Sequence, residues 1–366
     1  MTESAVSGTL AALFFFDVCD EIDLDRLRGI LKVPRPGREP SFRHPAPEYV
    51  QFSKPPVVEP IESFEAADGS RIGGSIAYYE YGVAGVRLQM PFAANWPKLV
   101  ELVARWMNSQ ELDRKAEQWI ESHLERAAPA LVNPYRQKLS EDYYIVSVCG
   151  NGGNGGGPLT ASRLIEECGA FIAQIVRGET ARFSPAEQAE ILEARMSYYE
   201  SDLLVVGWTA AFVYDSPEGA VSTVQLLEYA NTQLLEFRHY DSVLTGVLSQ
   251  LYRSLDHRGG VLARWRLARA AERLNTMRLE VRELTERVDN SIKFLSDMFA
   301  ARLYRMAAGK IGVPDYRRLV EQKLDSAGEL YSFMMDRFYQ GRAFVLELMV
   351  VIILVIELVF LFRGVT

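Results

Sequence analysis

The residues of this chain that could do chemistry are few and scattered. His239 and Asp241 lie two positions apart in a helical stretch and point about 200° apart, so they do not share a site. Glu228 and Glu236, eight apart, fall nearly on one helix face. With a neighbour they could bind a cation. No other histidine or cysteine joins them, and a solvated or interdomain hydrogen-bonding role is the alternative. The run Gly150–Gly157, GNGGNGGG, follows a strand and precedes a helix, where a phosphate loop would sit. Pro158, Leu159 and Thr160 follow it instead of Gly-Lys-Ser/Thr, so it reads as a flexible loop and not as a nucleotide cradle. A nucleophile elbow, a metal triad and a dinucleotide fingerprint are all missing from the sequence. No catalytic, cofactor-binding or metal-ligating residue is therefore assigned, no cofactor is expected, and the expectation is a protein that is not an enzyme.

Two further sets of charged residues carry a positional meaning. Glu347 and Glu357 interrupt the apolar run AFVLELMVVIILVIELVFLF at 343–362. Its 20 residues would make about 30 Å of helix, the thickness of a hydrocarbon core, so it reads as one transmembrane helix. The two glutamates can reach headgroups, mediate helix–helix association, or serve ion or proton transport. Arg258, Arg264, Arg266, Arg269 and Arg273 form a basic run with no acid before Glu272. They read either as a contact to anionic lipid or another polyanion, or as a solvated face salt-bridged to an acidic domain.

The elements that must position these residues follow from pattern. With 48% hydrophobic and 24% charged residues over 366 positions, the chain is not a disordered one. Its formal charge of −8 excludes a general nucleic-acid coat. Cys19, Cys149 and Cys168 are odd in number and unclustered, which fits neither a disulfide scaffold nor a zinc ribbon and suits a reducing compartment. Strands are expected at 9–16, at 75–90 as a hairpin around Tyr81-Gly82, at 142–149, and at 203–214 as one long central strand. Helices are expected at 22–31, 95–128, 159–176 and 185–194. Eight of the 16 prolines fall between Pro34 and Pro60, which predicts a long surface excursion.

From Pro217 onward the pattern is helical. Leu267, Leu274, Val281, Val288 and Leu295 occupy heptad a positions; Ala270, Met277, Leu284, Ser291 and Met298 occupy d. The expected fold class is thus α+β: an N-terminal mixed α+β head (1–215, with the proline-rich excursion at 34–60), long coiled-coil-like helices (216–342), one C-terminal transmembrane helix (343–362) and a short tail (363–366). Residues 257–342 hold 17 Lys/Arg against 11 Asp/Glu, whereas 1–256 hold 22 against 35. Arg317, Arg318, Lys323, Arg337 and Arg342 precede the apolar run and only Arg363 follows it, which places the body in the cytoplasm. The N-terminus lacks a basic n-region and reads as a strand, not a signal or transit peptide.

Five stretches carry a resemblance: FFFDVCDEIDLDRL (14–27), IAYYEYGVAGV (76–86), LLEYANTQLLEFRHYD (226–241), RLNTMRLEV within the long helices (273–281), and the apolar tail with its glutamates (347–357). In this order they resemble the Required-for-Meiotic-Nuclear-Division family of mitochondrial inner-membrane proteins and bacterial relatives. The resemblance implies a bacterial inner-membrane protein and a ribosome or other cytoplasmic partner, through support of translation. The expectation is a tail-anchored, single-pass membrane scaffold that is a homo-oligomer and displays its head to a partner. The alternative is an oligomeric ion-transport or channel-like component using the same span.

Overall fold

The computed structural model describes residues 5–33, 55–66, 69–149, 159–256, 276–279, 281–283, 298–362 and 364. The five arginines from Arg258 to Arg273, the glycine run and most of the proline-rich stretch lie outside the described residues. The chain divides into two compact units, Met1–His239 with Thr285–Tyr316, and Tyr240–Leu284 with Arg317–Thr366.

The first unit is built on an eight-stranded sheet. Its strands are β1 (Val6–Asp17), β3 (Val57–Glu65), β4 (Arg71–Tyr78), β5 (Val83–Ala94), β7 (Ser140–Cys149), β8 (Arg195–Met196), β9 (Leu203–Val206) and β10 (Ala210–Asp215). The order is β3-β4-β5-β1-β7-β10-β9-β8, and β2 (Cys19–Ile22) pairs separately with β6 (Leu131–Pro134). The pairings are antiparallel except for β7 with β10. β1 is the spine: it pairs with β5 from Val6↔Ala94 to Asp17↔Val83, and with β7 from Gly8↔Val148 to Phe16↔Ser140. A strand so enclosed must be apolar on both sides, and Leu10 through Asp17 are all buried.

The alternating side chains serve two layers. Leu10, Ala12, Phe14 and Phe16 join a core with α1 (Leu24–Leu31), α2 (Trp96–Met107), α3 (Gln110–Ala127), α4 (Ala161–Arg177) and α5 (Pro185–Ile191). Side-chain oxygens of Asn95, Ser109, Thr160 and Ser184 accept backbone hydrogen bonds at the starts of α2 to α5, and Gly178 ends α4 at a φ of 68°. Ala11, Leu13, Phe15 and Asp17 point to the opposite face, which α6 (Pro217–Asp256) and α7 (Met298–Ile311) serve. On α6 every residue from Leu226 to Phe237 is buried, whatever its polarity.

The stretch 203–214 is a hairpin and not one strand. β9 turns at Gly207-Trp208-Thr209 into β10. Both arms are buried, so the apolar run hides the turn. Gly207 betrays it: a Cβ there would lie 2.4 Å from a methyl of Val176. The proline-rich segment ends inside β3, at the sheet's edge, where Pro60 is tolerated.

The second unit is helical. Lys323 donates to the Thr245 hydroxyl (2.7 Å) and pairs with Asp241 (2.6 Å). Arg278 donates to the Leu324 carbonyl at 3.3 Å. Met277 and Val281, two of the heptad residues, are buried, as are Val320, Leu324 and Ala327 of α8 (Val313–Phe362).

The fold is mixed α+β with a large sheet, but the expected transmembrane helix at 343–362 is not supported. Among the described residues no helix is long and apolar enough to cross a membrane. Within that run side chains are described at 349–359, about 16 Å of helix, roughly half of a hydrocarbon core. The tail-anchored, single-pass topology and the inner-membrane location with a cytoplasmic body rested on that span and fall with it.

Candidate functional site

The polar residues singled out on α6 do not form a metal or catalytic cluster; they attach the helix to the sheet. Arg87 shares the α6-facing side of the sheet with its cross-strand partner Leu13, and Glu141 shares it with Phe15. Arg87 Nε donates to Glu228 Oε1 at 2.7 Å, and its terminal nitrogen reaches the same oxygen. Burial works to lower the Arg87 guanidinium, but the charge and hydrogen bond of Glu228 hold it above its usual value. Arg238 pairs with Glu141. His239 Nδ1 lies 2.5 Å from Asp17 Oδ2, and its ring stacks on Tyr135 at 4.9 Å. Tyr135 in turn donates to Asp20 at 2.6 Å.

Between these charge pairs the Tyr81 and Thr232 hydroxyls share a hydrogen bond of 2.8 Å. Positions 228, 232 and 239 recur at helical spacing, so one stripe of α6 supplies these contacts, and Arg238 reaches Glu141 from beside it. Burial pushes the Asp17 carboxyl above its ordinary value, the hydrogen bond and charge of His239 oppose this, and Asp20 adds to it. Burial likewise raises the Tyr81 phenol, aided by Tyr79, Tyr229 and Glu236.

Glu228 and Glu236 thus lie on one helix face, but Glu228 faces an arginine. His239 and Asp241 part company: the first binds Asp17, the second Lys323. Glu357 is exposed, and the Glu347 side chain lies outside the described ones. The arginine run 258–273 lies outside the described residues altogether. Sequence reasoning missed Asp17, Arg87 and Glu141 because their partners are far away in the chain. The available signal was an acid closing an otherwise apolar strand and an arginine on the inward side of β5.

A second feature was not foreseen. Where β10 leads into α6, the Ser216 hydroxyl accepts from the Gly219 amide at 3.1 Å and caps the helix, with Pro217 and Glu218 in its first turn. Beside this start lies a cavity of about 90 Å³. Tyr198, Tyr199, Tyr214 and Phe299 supply rings to its wall, and Leu203, Leu204, Val213 and Leu303 are among its apolar lining. Asp202, Asp215 and Glu218 line it as well, and among the described residues that line it none is a lysine, arginine or histidine. Asp202 accepts from the amides of Tyr198 (2.8 Å) and Tyr199 (2.9 Å), which fixes the segment bearing both rings. The Tyr198 ring meets Tyr199 at 87° and Phe299 at 65°. No group of three or more histidine, cysteine, aspartate or glutamate residues among the described ones could hold a metal ion.

Fold and site define a mixed α+β domain whose central sheet is locked under a buried helix by charge pairs. Residues 7–220 match the family described as "Uncharacterized protein MJ0711, N-terminal domain", and the chain belongs to that family. The Uncharacterized protein MJ0711 of the archaeon Methanocaldococcus jannaschii is 20% identical over 195 residues. The match covers 53% of this chain and 60% of that protein, so it spans less than two thirds of its relative. No solved structure matches. These findings overturn the resemblance to the Required-for-Meiotic-Nuclear-Division family, and the bacterial setting drawn from it is not carried further. The stretches 14–27, 76–86 and 226–241, on which that resemblance leaned, contribute Asp17, Tyr81 and His239 to the layer under α6.

Proposed function

We propose that the protein is a scaffold that self-associates through its C-terminal helix and so displays several copies of its α+β head. One observation carries this reading. Met349 to Val359 on α8 are apolar except for Glu357, and each of the apolar residues leaves between 48% and 57% of its surface exposed. Soluble proteins rarely leave so continuous an apolar surface uncovered. A second copy supplies a surface of the same chemistry, and symmetric pairing of like helices closes the assembly. The described heptad residues Met277 and Val281 are buried, which turns attention from them to 349–359 as the surface that awaits a partner. Glu357, and Glu347 ten residues before it, would then set the register of pairing, as isolated polar residues do in helical bundles. The transport alternative required a membrane span and is not pursued.

The test is crosslinking of Ile353→Cys in a Cys149→Ser background with a short bis-maleimide, using Val132→Cys on the head as the control. Burial pushes the Cys19 thiol up to about 12 and the Cys168 thiol to about 11, so neither competes at neutral pH. Covalent dimers from Ile353→Cys and none from Val132→Cys are expected. Fully labelled monomers from Ile353→Cys would overturn the proposal.

A further inference from the structure

We propose that the exposed face of α7, with the Trp208 turn at its end, binds single-stranded nucleic acid. α7 carries Arg302, Arg305 and Lys310 and no acidic residue. Ala300, Leu303, Tyr304, Ala307 and Ile311 form its buried face. Arg302, Arg305 and Gly309, at helical spacing, make one exposed stripe, and Lys310 flanks it half-buried. Other exposed arginines of the first unit find acids: Arg126 pairs with Glu59, Arg163 with Glu167, Arg177 with Glu187. Among the described residues none of the three α7 bases pairs with an acid, and Arg305 donates only to the Ala301 carbonyl of its own helix, at 3.2 Å. The negative end of α7 accounts for Lys310 in the last turn, but not for Arg302 or Arg305. The stripe also runs against its background, since residues 1–256 hold 22 Lys/Arg against 35 Asp/Glu.

The second observation is an aromatic ring at the end of this stripe. Trp208, in the turn between β9 and β10, leaves 58% of its surface exposed. A Cβ at Gly312, the residue after α7, would lie 3.9 Å from its ring. From Arg302 to Gly312 the helix advances about 15 Å, so bases and ring stand in a row and do not converge on one point. At Gly309 an added Cβ would meet nothing within 4 Å, which leaves the surface open between Arg305 and the ring.

A row of cations with a ring matches a ligand that repeats a negative charge and carries flat faces. Single-stranded nucleic acid does both: its phosphates track a basic surface and its bases stack on exposed rings. A duplex keeps its base faces inside the stack. An acidic peptide repeats the charge but brings no face for the tryptophan. A protein interface would also want an apolar centre, and between Arg302 and Lys310 the half-buried Met306 is the one apolar side chain that is not buried.

The experiment is fluorescence anisotropy of a short labelled oligouridylate titrated with the full chain. A blunt RNA duplex and polyglutamate of matched charge serve as comparison probes. Saturable binding with Kd between about 1 and 100 μM is expected at about 50 mM salt, with both comparison probes weaker. Three phosphate contacts give a slope of log K against log salt of about −2. Arg302→Gln with Arg305→Gln leaves one cation, so affinity falls at least tenfold and the slope shrinks to about −0.7. Trp208→Ala weakens binding about tenfold and leaves the slope as it was, because stacking carries no counterion. All three substitutions are at exposed positions, and an unchanged circular dichroism spectrum verifies the fold. No saturable binding would overturn the proposal, and so would equal binding of polyglutamate or of the duplex. Unchanged affinity in the double arginine variant, which would place binding on another basic segment, or in Trp208→Ala, would overturn it too. The proposal goes beyond the scaffold reading, and none of these readings depends on whether the chain self-associates.

Discussion

The two ends of the unit-one part of α6 treat acidic residues in opposite ways. Between 228 and 239 the helix faces the sheet through two ion pairs, Glu228 with Arg87 and Arg238 with Glu141, and through the close approach of His239 to Asp17. Around its start, three carboxylates line a cavity together with aromatic and aliphatic side chains. In the first region burial and charge matching go together, because an unmatched charge there would cost several kcal/mol. In the second, the Asp202 carboxylate is held by the backbone amides of Tyr198 and Tyr199, and Glu218 stands exposed in the first turn of α6, where the helix end favours an acid. The difference separates a buried fastening from an exposed helix start on one helix, and each expected outcome below either breaks that separation or sharpens it.

The largest effect belongs to the fastening. Arg87→Met leaves the nearly buried Glu228 carboxylate without its partner. It should cost about 2–3 kcal/mol in urea denaturation, somewhat less than a fully buried pair because Arg87 is partly exposed. Adding Glu228→Gln should restore most of the loss, since a neutral pair carries no stranded charge. A single variant as stable as the parent would show that the pair does not fasten the helix.

A step down is the neutral hydrogen bond between Tyr81 and Thr232. Tyr81→Phe removes one partner but leaves Thr232 its bond to the Tyr229 carbonyl, so about 1 kcal/mol is expected by the same measurement. A loss as large as that of Arg87→Met would mean that the tyrosine, not the ion pair, dominates the layer.

Asp17 gives a smaller effect with a sign, because burial and His239 act against each other. Its carboxyl is raised above the ordinary value of 3.8 in the folded chain. A raised acid contributes stability below its unfolded value, and that contribution is lost as pH rises through the folded one. Asp17→Asn cannot ionise, so its stability relative to the parent should improve as pH rises from about 4 to 7. Urea midpoints across that range test this. The opposite slope would show that attraction to His239 outweighs burial, and that the fastening draws on charge even at its buried end.

Much of the fold was legible because period and punctuation are local. The buried strand at 9–16, the hairpin turn at Gly82 (φ of 90°) and the helix start after Ser216 are each written in neighbouring residues. What failed was non-local. Two buried strands of a hairpin read as one apolar run, since only Gly207 marks the turn. Asp17 and Arg87 gave no sign of their partners, because 141 positions separate Arg87 from Glu228. The cavity joins side chains from the 198–204 segment, β10, α6 and α7, and no single stretch shows it. The apolar run at 343–362 was the strongest local pattern of all, yet local strength did not secure the transmembrane reading or the family assigned with it.

The smallest stability effect is the most discriminating for the comparison. Glu218 is exposed at the first turn of α6, where its charge interacts favourably with the helix end. Glu218→Gln should therefore cost no more than about 0.5 kcal/mol in thermal or urea denaturation, several-fold less than Arg87→Met. If Glu218→Gln proves as destabilising as Arg87→Met, the carboxylates at the start of α6 are structural like those farther along it. The two ends of the helix would then differ in exposure but not in role.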